Sequence, residues 1–297
     1  MTGIIIVDKP AGWTSHDVVA KLRGALKEKR IGHGGTLDPL ATGVLPVFIG
    51  RATRAAEFCE NAEKEYIAGL RLGLATDTQD ITGETVFSCG AVCGECGAQV
   101  STDDILSVLR SFTGAQKQTP PMYSAVKIGG KKLYEMARQG VTVPRPERDI
   151  TISEIELLGR AHDELTLRVV CSKGTYIRTL CHDIGAALGC GAAMCSLRRT
   201  RAGAFTIDQA HALDRVLEAG GAGLVGSVLI PVDKIFLQYP PVTLGMQDAA
   251  ACKNGTPRSA GLIADGTYRF YGPDNEFLIL GMVKSGKIEI IKGFFEV

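Results

Sequence analysis

Asp38 is the only carboxylate in GHGGTLDPLATG (residues 32–43), a stretch of glycines and threonines with a proline directly behind the acid. The glycines allow tight turns and close approach of another molecule. Pro39 fixes its own φ and biases Asp38 toward an extended backbone, which would hold the carboxylate in one direction. Taken alone, Asp-Pro between Gly and Thr is also an ordinary turn, and that is the plainer reading. Other chemistries lack their residues. There is no G-x-x-x-x-G-K-[ST], no G-x-S-x-G and no H-E-x-x-H, and GCGAAM (189–194) lacks the final small residue of a dinucleotide loop and follows a helix pattern. The histidines at 16, 33, 162, 182 and 211 are scattered without ligand spacing. Cys89, Cys93 and Cys96, in CGAVCGEC, have zinc-like spacing, but no fourth ligand of matching spacing follows, so a Gly-rich surface loop without metal is expected. Asp38 is left as the acid of interest and CSKGTYIRTL (171–180) as the basic segment of interest.

The net charge of +1 hides local asymmetry. KLRGALKEKR (21–30) carries five bases against one acid. Between 127 and 148, Lys127, Lys131, Lys132, Arg138, Arg145 and Arg148 face only Glu135 and Glu147, and Arg198, Arg199 and Arg201 form a third group. Each run alone reads as a solvated face; three in a near-neutral chain point to a basic groove for nucleic acid.

These residues need elements to position them. After a short strand, IIIV, the stretch TSHDVVAKLRGALK predicts a helix, with Thr14 and Asp17 as a capping box and Val18, Val19, Leu22, Ala25 and Leu26 on one face. VLPVFIG reads as a buried strand and RATRAAEFCE as a short helix. YIAGLRLGL alternates, with Tyr66, Ala68, Leu70, Leu72 and Leu74 on one face. TDDILSVLRSF predicts a helix capped by Thr102. Residues 117–149, polar, basic and interrupted by four prolines, read as a long functional excursion around one short helix, KLYEMARQ. Residues 150–172 read as a hairpin whose alternation changes phase between Ile152 and Ile155, as at a bulge, and a helix follows from about Thr175 to Leu188. The order implies an α+β domain around a largely antiparallel sheet. From about residue 231 short β-rich runs between turn signals predict a small all-β module, which divides the chain into 1–230 and 231–297 with a Gly-rich link near 219–226.

The 297 residues, 45% hydrophobic and 22% charged, have the composition of a soluble globular protein. The N-terminal apolar run has no basic region ahead of it, and the weakly polar run at 220–232 is too short and Gly-rich to span a bilayer, so no membrane association and a cytoplasmic location are expected. Nine cysteines, an odd count, fit free thiols.

GHGGTLDPLATGVLP, KEYIAGLRLG, PPMYSAVKIGGKKLYEMARQG and CSKGTYIRTL together resemble the tRNA pseudouridine-55 synthases of the bacterial TruB type, and the likeness runs in order from GIIIVDKPAGWTS to LRRTRAG near residue 203. The resemblance implies a pseudouridine-synthase fold and an isomerase in which Asp38 is the nucleophile that detaches uracil from its ribose so that the base rotates and rejoins through carbon. It implies that Arg178 pairs with and orients that carboxylate, and that Tyr66 stacks on the flipped uracil and assists the final proton removal. Tyr176 and Leu197 would line the pocket, and His33 would fill the gap left in the RNA stack. Lys9, Lys64 and the basic residues of the excursion, Lys127, Lys131, Lys132, Arg138 and Arg145, would contact phosphates, the excursion acting as a thumb over the RNA loop. The C-terminal module resembles a PUA domain. Uracil stacked in a folded loop must be flipped out before reaction. The isomerisation exchanges no atoms or electrons, so no cofactor is required. The implied partner is the TΨC stem-loop of tRNA, with no obligatory protein partner and a monomer expected. Position 34 is Gly where many bacterial members have Thr, which implies a looser loop beside the acid.

Two further readings compete. A guide-RNA-dependent pseudouridine synthase is disfavoured by ATGVLP, KKLYEMARQG and the long thumb. A tRNA-binding folding factor with little catalysis is disfavoured by the intact Asp38, Tyr66 and Arg178 set.

Overall fold

The computed structural model describes residues 1–89, 100–256 and 258–295, so Cys93 and Cys96 of the cysteine run lie outside the described residues. The chain forms two compact units: residues 1–39, 43–61 and 202–297, and residues 40–42 and 62–201.

In the first unit, strand Gly3–Lys9 runs antiparallel to Thr42–Ile49, with Gly3 opposite Ile49 and Lys9 opposite Gly43, and parallel to the short strand His211–Ala212. Both long strands are apolar over most of their length, Ile4–Val7 and Val44–Ile49, because both of their faces are covered. Helix Ser15–Leu26 begins at a complete Thr14/Asp17 capping box and buries Val18, Val19 and Leu22. RATRAAEFCE is helical as expected, but its first five residues, with Gly50 ahead of them, wind as a 3₁₀ turn before the α-helix Ala56–Glu60. The C-terminal strands form a separate five-stranded sheet in the order 241–243, 266–271, 277–284, 287–293, 258–259. The strand pattern missed the helix Met246–Lys253, the 3₁₀ turn Val232–Phe236 and the short strands 241–243 and 258–259 of this module. One core holds the unit together: Ile4, Ile6, Val44, Phe48 and Cys59 from the N-terminal part join Phe236, Leu280 and Phe294 from the C-terminal part.

The second unit is built on strands in the order 192–202, 64–72, 164–171, 148–161, 114–118. Strand Lys64–Leu72 pairs antiparallel with Glu164–Cys171, Tyr66 opposite Val169, and the next two pairings are antiparallel as well. The ladder between the hairpin strands shifts register between Ile152 and Glu154, where the alternation changes phase, and again between Leu157 and Gly159. Helices Thr102–Ser111 and Ile177–Ala187 contact each other and pack on the hairpin and on strand Lys64–Leu72 respectively. The first of them is capped by Ser101 rather than Thr102, because only Ser101 stands three residues ahead of Asp104 and so completes the capping box. The excursion contains a short hairpin, Lys127–Ile128 against Lys131–Lys132, leading directly into helix Leu133–Ala137. No helix among the described residues is long and apolar enough to cross a membrane.

Candidate functional site

Asp38 is half-buried, and the backbone on each side of it is fixed. The Ser15 hydroxyl, itself buried, accepts the N–H of Leu37 at 2.8 Å and donates to the Leu37 carbonyl at 3.2 Å. On the other side, the Pro39 carbonyl accepts the Gly12 N–H at 2.8 Å and lies 3.5 Å from the Lys9 ammonium. That ammonium is fully buried and also donates to the carbonyls of Trp13 at 2.6 Å and Pro10 at 2.9 Å. Lys9 therefore holds the loop from inside, which corrects the expectation that it faces a phosphate. Lys64 is corrected likewise: it is buried, and its ammonium donates to the Ala62 carbonyl at 2.6 Å.

Gly34 is buried. A Cβ there would lie 2.7 Å from Phe48 Cε2 and 2.9 Å from Cys59 Cβ, so the two neighbours occupy the volume a side chain would take. Of Gly32, Gly34 and Gly35, Gly35 alone turns left-handed, at φ 116°. His33 ends the strand Ile31–His33 and is half-buried.

The second unit carries Tyr66, Tyr176, Arg178 and Leu197. Arg178, in the first turn of helix Ile177–Ala187, is 5% exposed, far from the surface arginine a helix position would otherwise imply. Its guanidinium donates to the carbonyls of Thr78 at 3.1 Å and Tyr123 at 2.9 Å, and Nη1 lies 3.7 Å from Asp80 Oδ2. Tyr176 is gripped as Leu37 is: the buried Gln118 amide accepts its N–H at 2.8 Å and donates to its carbonyl at 3.1 Å. Tyr66 and Leu197 are buried on the neighbouring strands 64–72 and 192–202, and the Leu197 carbonyl accepts the Thr42 hydroxyl at 3.4 Å.

Asp80 is the site residue that sequence reasoning missed. It is buried, and its Oδ1 accepts the Thr78 hydroxyl and the Thr82 N–H, both at 2.9 Å, and the Thr82 hydroxyl, so the carboxylate is saturated on one oxygen and turned to Arg178 on the other. A signal existed in TDTQDITG (76–83), where an acid is flanked at two-residue spacing by Thr78 and Thr82, as an Asx-type turn requires.

The third basic group is partly consumed within the protein. Arg199 is fully buried, Arg201 pairs with Glu63 at 2.8 Å, and Arg198 donates to the Thr42 hydroxyl at 3.4 Å. The Glu63–Arg201 contact holds the Glu63 carboxyl below its ordinary value. In the excursion, Lys127, Lys131 and Arg138 are exposed. Lys132 and Arg138 lie over the Tyr134 ring at 5.3 and 5.5 Å, and half-buried Arg145 donates to the Pro120 carbonyl at 3.0 Å. Among the described residues no group of three metal-ligating side chains is present; Cys89 is buried with its thiol 3.6 Å from the Cys190 carbonyl. A groove of about 480 Å³ lies along the edge strand Gly114–Gln118, lined by Gln116, Lys117, Thr151 and Lys173 among others, and includes none of the candidate residues.

The order of elements, the sheets and the lone acid in a braced loop define a pseudouridine synthase fold. A solved structure titled "Crystal Structure of a Cbf5-Nop10-Gar1 Complex" matches with a TM-score of 0.73 and 29% identity over 99% of this chain and 85% of that one. "Structure of H/ACA RNP bound to a substrate RNA containing 2'-deoxyuridine" matches with a TM-score of 0.72 and 27% identity over 99% and 85%. The model described as TruB family pseudouridylate synthase (N terminal domain) matches residues 23–177, and that of the tRNA pseudouridylate synthase B C-terminal domain matches 178–236. Relatives called tRNA pseudouridine synthase B are 39% identical in Clostridium kluyveri, over 99% of this chain and 100% of that one, and 43% identical in Syntrophomonas wolfei, over 94% and 93%. One from Alkaliphilus oremlandii is 47% identical over 78% and 75%. The chain belongs to the TruB family of pseudouridylate synthases.

Proposed function

We propose that this chain is a tRNA pseudouridine synthase that isomerises uridine 55 in the TΨC loop, with Asp38 as nucleophile. The observation that carries the reading is relatedness over the whole length, 39% identity across 99% of this chain and 100% of a relative named for that activity. The geometry supports it. A carboxylate nucleophile must be aimed, and Asp38 sits between two residues whose main chains are both held by hydrogen bonds. Arg178 is the cation that orients the carboxylate; its fork is already fixed by two carbonyls, so little freedom is lost when it engages. Asp80 is a positioning residue for Arg178.

Flipping the uridine costs a few kcal/mol, offset by stacking on Tyr66 and by the apolar walls from Tyr176 and Leu197, while the His33 ring fills the vacated place in the RNA stack. Reaction at Asp38 breaks the bond between ribose C1′ and uracil N1, and N1 later carries a proton in place of the one C5 gives up. The base rotates and rejoins through C5, the C5 proton leaves with help from Tyr66, and the balance needs no cofactor. The exposed cations Lys127, Lys131 and Arg138, with Lys132 and Arg145, hold phosphates from the excursion, and the module from residue 231 acts as a PUA-like RNA-binding domain beside a catalytic domain of 1–230. The enzyme works as a monomer on tRNA alone.

The test is release of tritium from tRNA transcript labelled at uridine C5. Purified protein without guide RNA is expected to release one tritium per tRNA, and Asp38→Asn to abolish release while retaining tRNA binding. Normal turnover by Asp38→Asn overturns the nucleophile assignment, and binding without release by the native protein favours a folding factor. A requirement for added guide RNA favours the ribonucleoprotein reading, whose solved neighbours are 27–29% identical.

A further inference from the structure

We propose that Tyr123 and Asp77 are positioning residues that couple Arg178 to the base of the 117–149 excursion, so that tRNA held on the excursion sets the orientation of the guanidinium. The inference rests on the reading of Arg178 as the arginine that orients the nucleophile.

Two main-chain carbonyls grip Arg178, and they belong to different segments: Thr78 in the turn after strand Leu74–Thr76, and Tyr123 in the excursion. The two segments are latched to each other by a side-chain contact, the Tyr123 hydroxyl donating to Asp77 Oδ2 at 3.2 Å. Asp77 is itself fixed, because its Oδ1 accepts the Glu84 N–H at 2.8 Å and its own N–H donates to the Glu84 carbonyl at 3.1 Å. Burial and the accepting Asp77 carboxylate push the Tyr123 hydroxyl pKa up, so it remains the donor at neutral pH.

The other end of the path reaches the cations. The carbonyl of Ser124, next to Tyr123, accepts the Tyr134 N–H at 3.1 Å, and the Tyr134 ring lies under Lys132 and Arg138. Ser124 is buried, so this segment is embedded rather than lying loose on the surface. A phosphate that shifts Lys132 and Arg138 therefore pulls, through Tyr134 and Ser124, on the carbonyl that holds Arg178. Without the latch, the two carbonyls move independently and the guanidinium loses its fixed fork.

Tyr123→Phe removes the hydroxyl and keeps the carbonyl. The expected result is a single-turnover isomerisation rate at saturating tRNA lowered roughly tenfold, with tRNA affinity and melting temperature near wild type; small misplacements at a reacting centre cost this much or more. Asp77→Ala removes the latch from the other side, together with the acceptor of the Glu84 N–H, and is expected to slow the reaction at least as much; the double variant is expected to be no slower than Asp77→Ala alone, because the Tyr123–Asp77 contact is already gone. A second readout separates coupling from simple support. Lys132→Ala with Arg138→Ala is expected to lower both affinity and saturated rate in the native background, but only affinity in the Tyr123→Phe background. Wild-type saturated rates in both latch variants, or additive losses in the double, overturn the inference. Failure of the underlying reading looks different: Arg178→Lys would then keep the native rate, whereas a slow Arg178→Lys beside a native Tyr123→Phe defeats the coupling alone.

Discussion

The Ser15 hydroxyl closes two hydrogen bonds on one residue, accepting from the N–H of Leu37 at 2.8 Å and donating to its carbonyl at 3.2 Å, directly before Asp38. Helix Ser15–Leu26 thus braces the loop through its first residue, which its own Thr14 cap leaves free for the purpose. Ser15→Ala removes both contacts in a buried setting. Stability is expected to fall by about 1–3 kcal/mol, the usual cost of leaving buried main-chain groups unsatisfied. The saturated isomerisation rate is expected to fall with it, and tRNA affinity to hold. Denaturant melts and single-turnover tritium release check the two halves separately; unchanged values in both would show that the loop is fixed by Pro39 and its partners alone.

Gly34 makes the opposite kind of contribution, through what it lacks. An added Cβ at 2.7 Å from Phe48 Cε2 and 2.9 Å from Cys59 Cβ meets two core side chains with little room to move. Gly34→Ala is expected to destabilise the protein by about 1–3 kcal/mol, as overpacking does. A melting temperature equal to wild type would mean that Phe48 yields freely, and that the departure from the common threonine is incidental.

Much of this was legible in the sequence, and what was not has a common cause. Local patterns gave the Thr14/Asp17 box, the alternation through Tyr66 to Leu72, and the bulge near Ile152, because each depends on residues a few positions apart. The interiors of Lys9, Lys64 and Arg199 were not legible, because a basic side chain reads as solvent-facing until the carbonyls that receive it are known, and those of Trp13 and Pro39 converge on Lys9 only in the fold. Asp80 was overlooked for the same reason: its partner Arg178 is almost a hundred residues away along the chain. The cysteine run shows the limit in another form. Cys190 is distant in sequence, yet its carbonyl meets the Cys89 thiol at 3.6 Å.

Asp80 and Arg178 form a buried ion pair at 3.7 Å in which each also has neutral hydrogen-bond partners. Asp80→Asn keeps the shape and the contacts to Thr78 and Thr82 but removes the charge that faces the guanidinium. Truncating one member of such a pair leaves the other charge uncompensated, so the effect concentrates on Arg178. The saturated rate is expected to drop by roughly one to two orders of magnitude, in line with small losses of alignment at a reacting centre. The far-UV spectrum and tRNA affinity should stay near wild type. Quench-flow tritium release against filter binding distinguishes this from a folding defect, and a native rate in Asp80→Asn would reduce the pair to a packing contact.

In the C-terminal module, Tyr271 donates to Asp233 at 2.8 Å and accepts from Arg269 at 3.0 Å, joining strand Gly266–Tyr271 to the 3₁₀ turn Val232–Phe236. Burial first, and then the Asp233 carboxylate, push its hydroxyl pKa up to about 12. A phenol that holds its proton more tightly in the folded chain than in the unfolded one, where its pKa is about 10, stabilises the fold in full below pH ~10 and loses that contribution as pH rises toward its folded value. Tyr271→Phe lacks the titration. At pH 8 it is expected to be the less stable protein, and the gap to wild type should narrow steadily between pH ~10 and ~12. Urea midpoints measured across that range decide the matter: a constant gap means that the hydroxyl contributes by packing rather than through its proton.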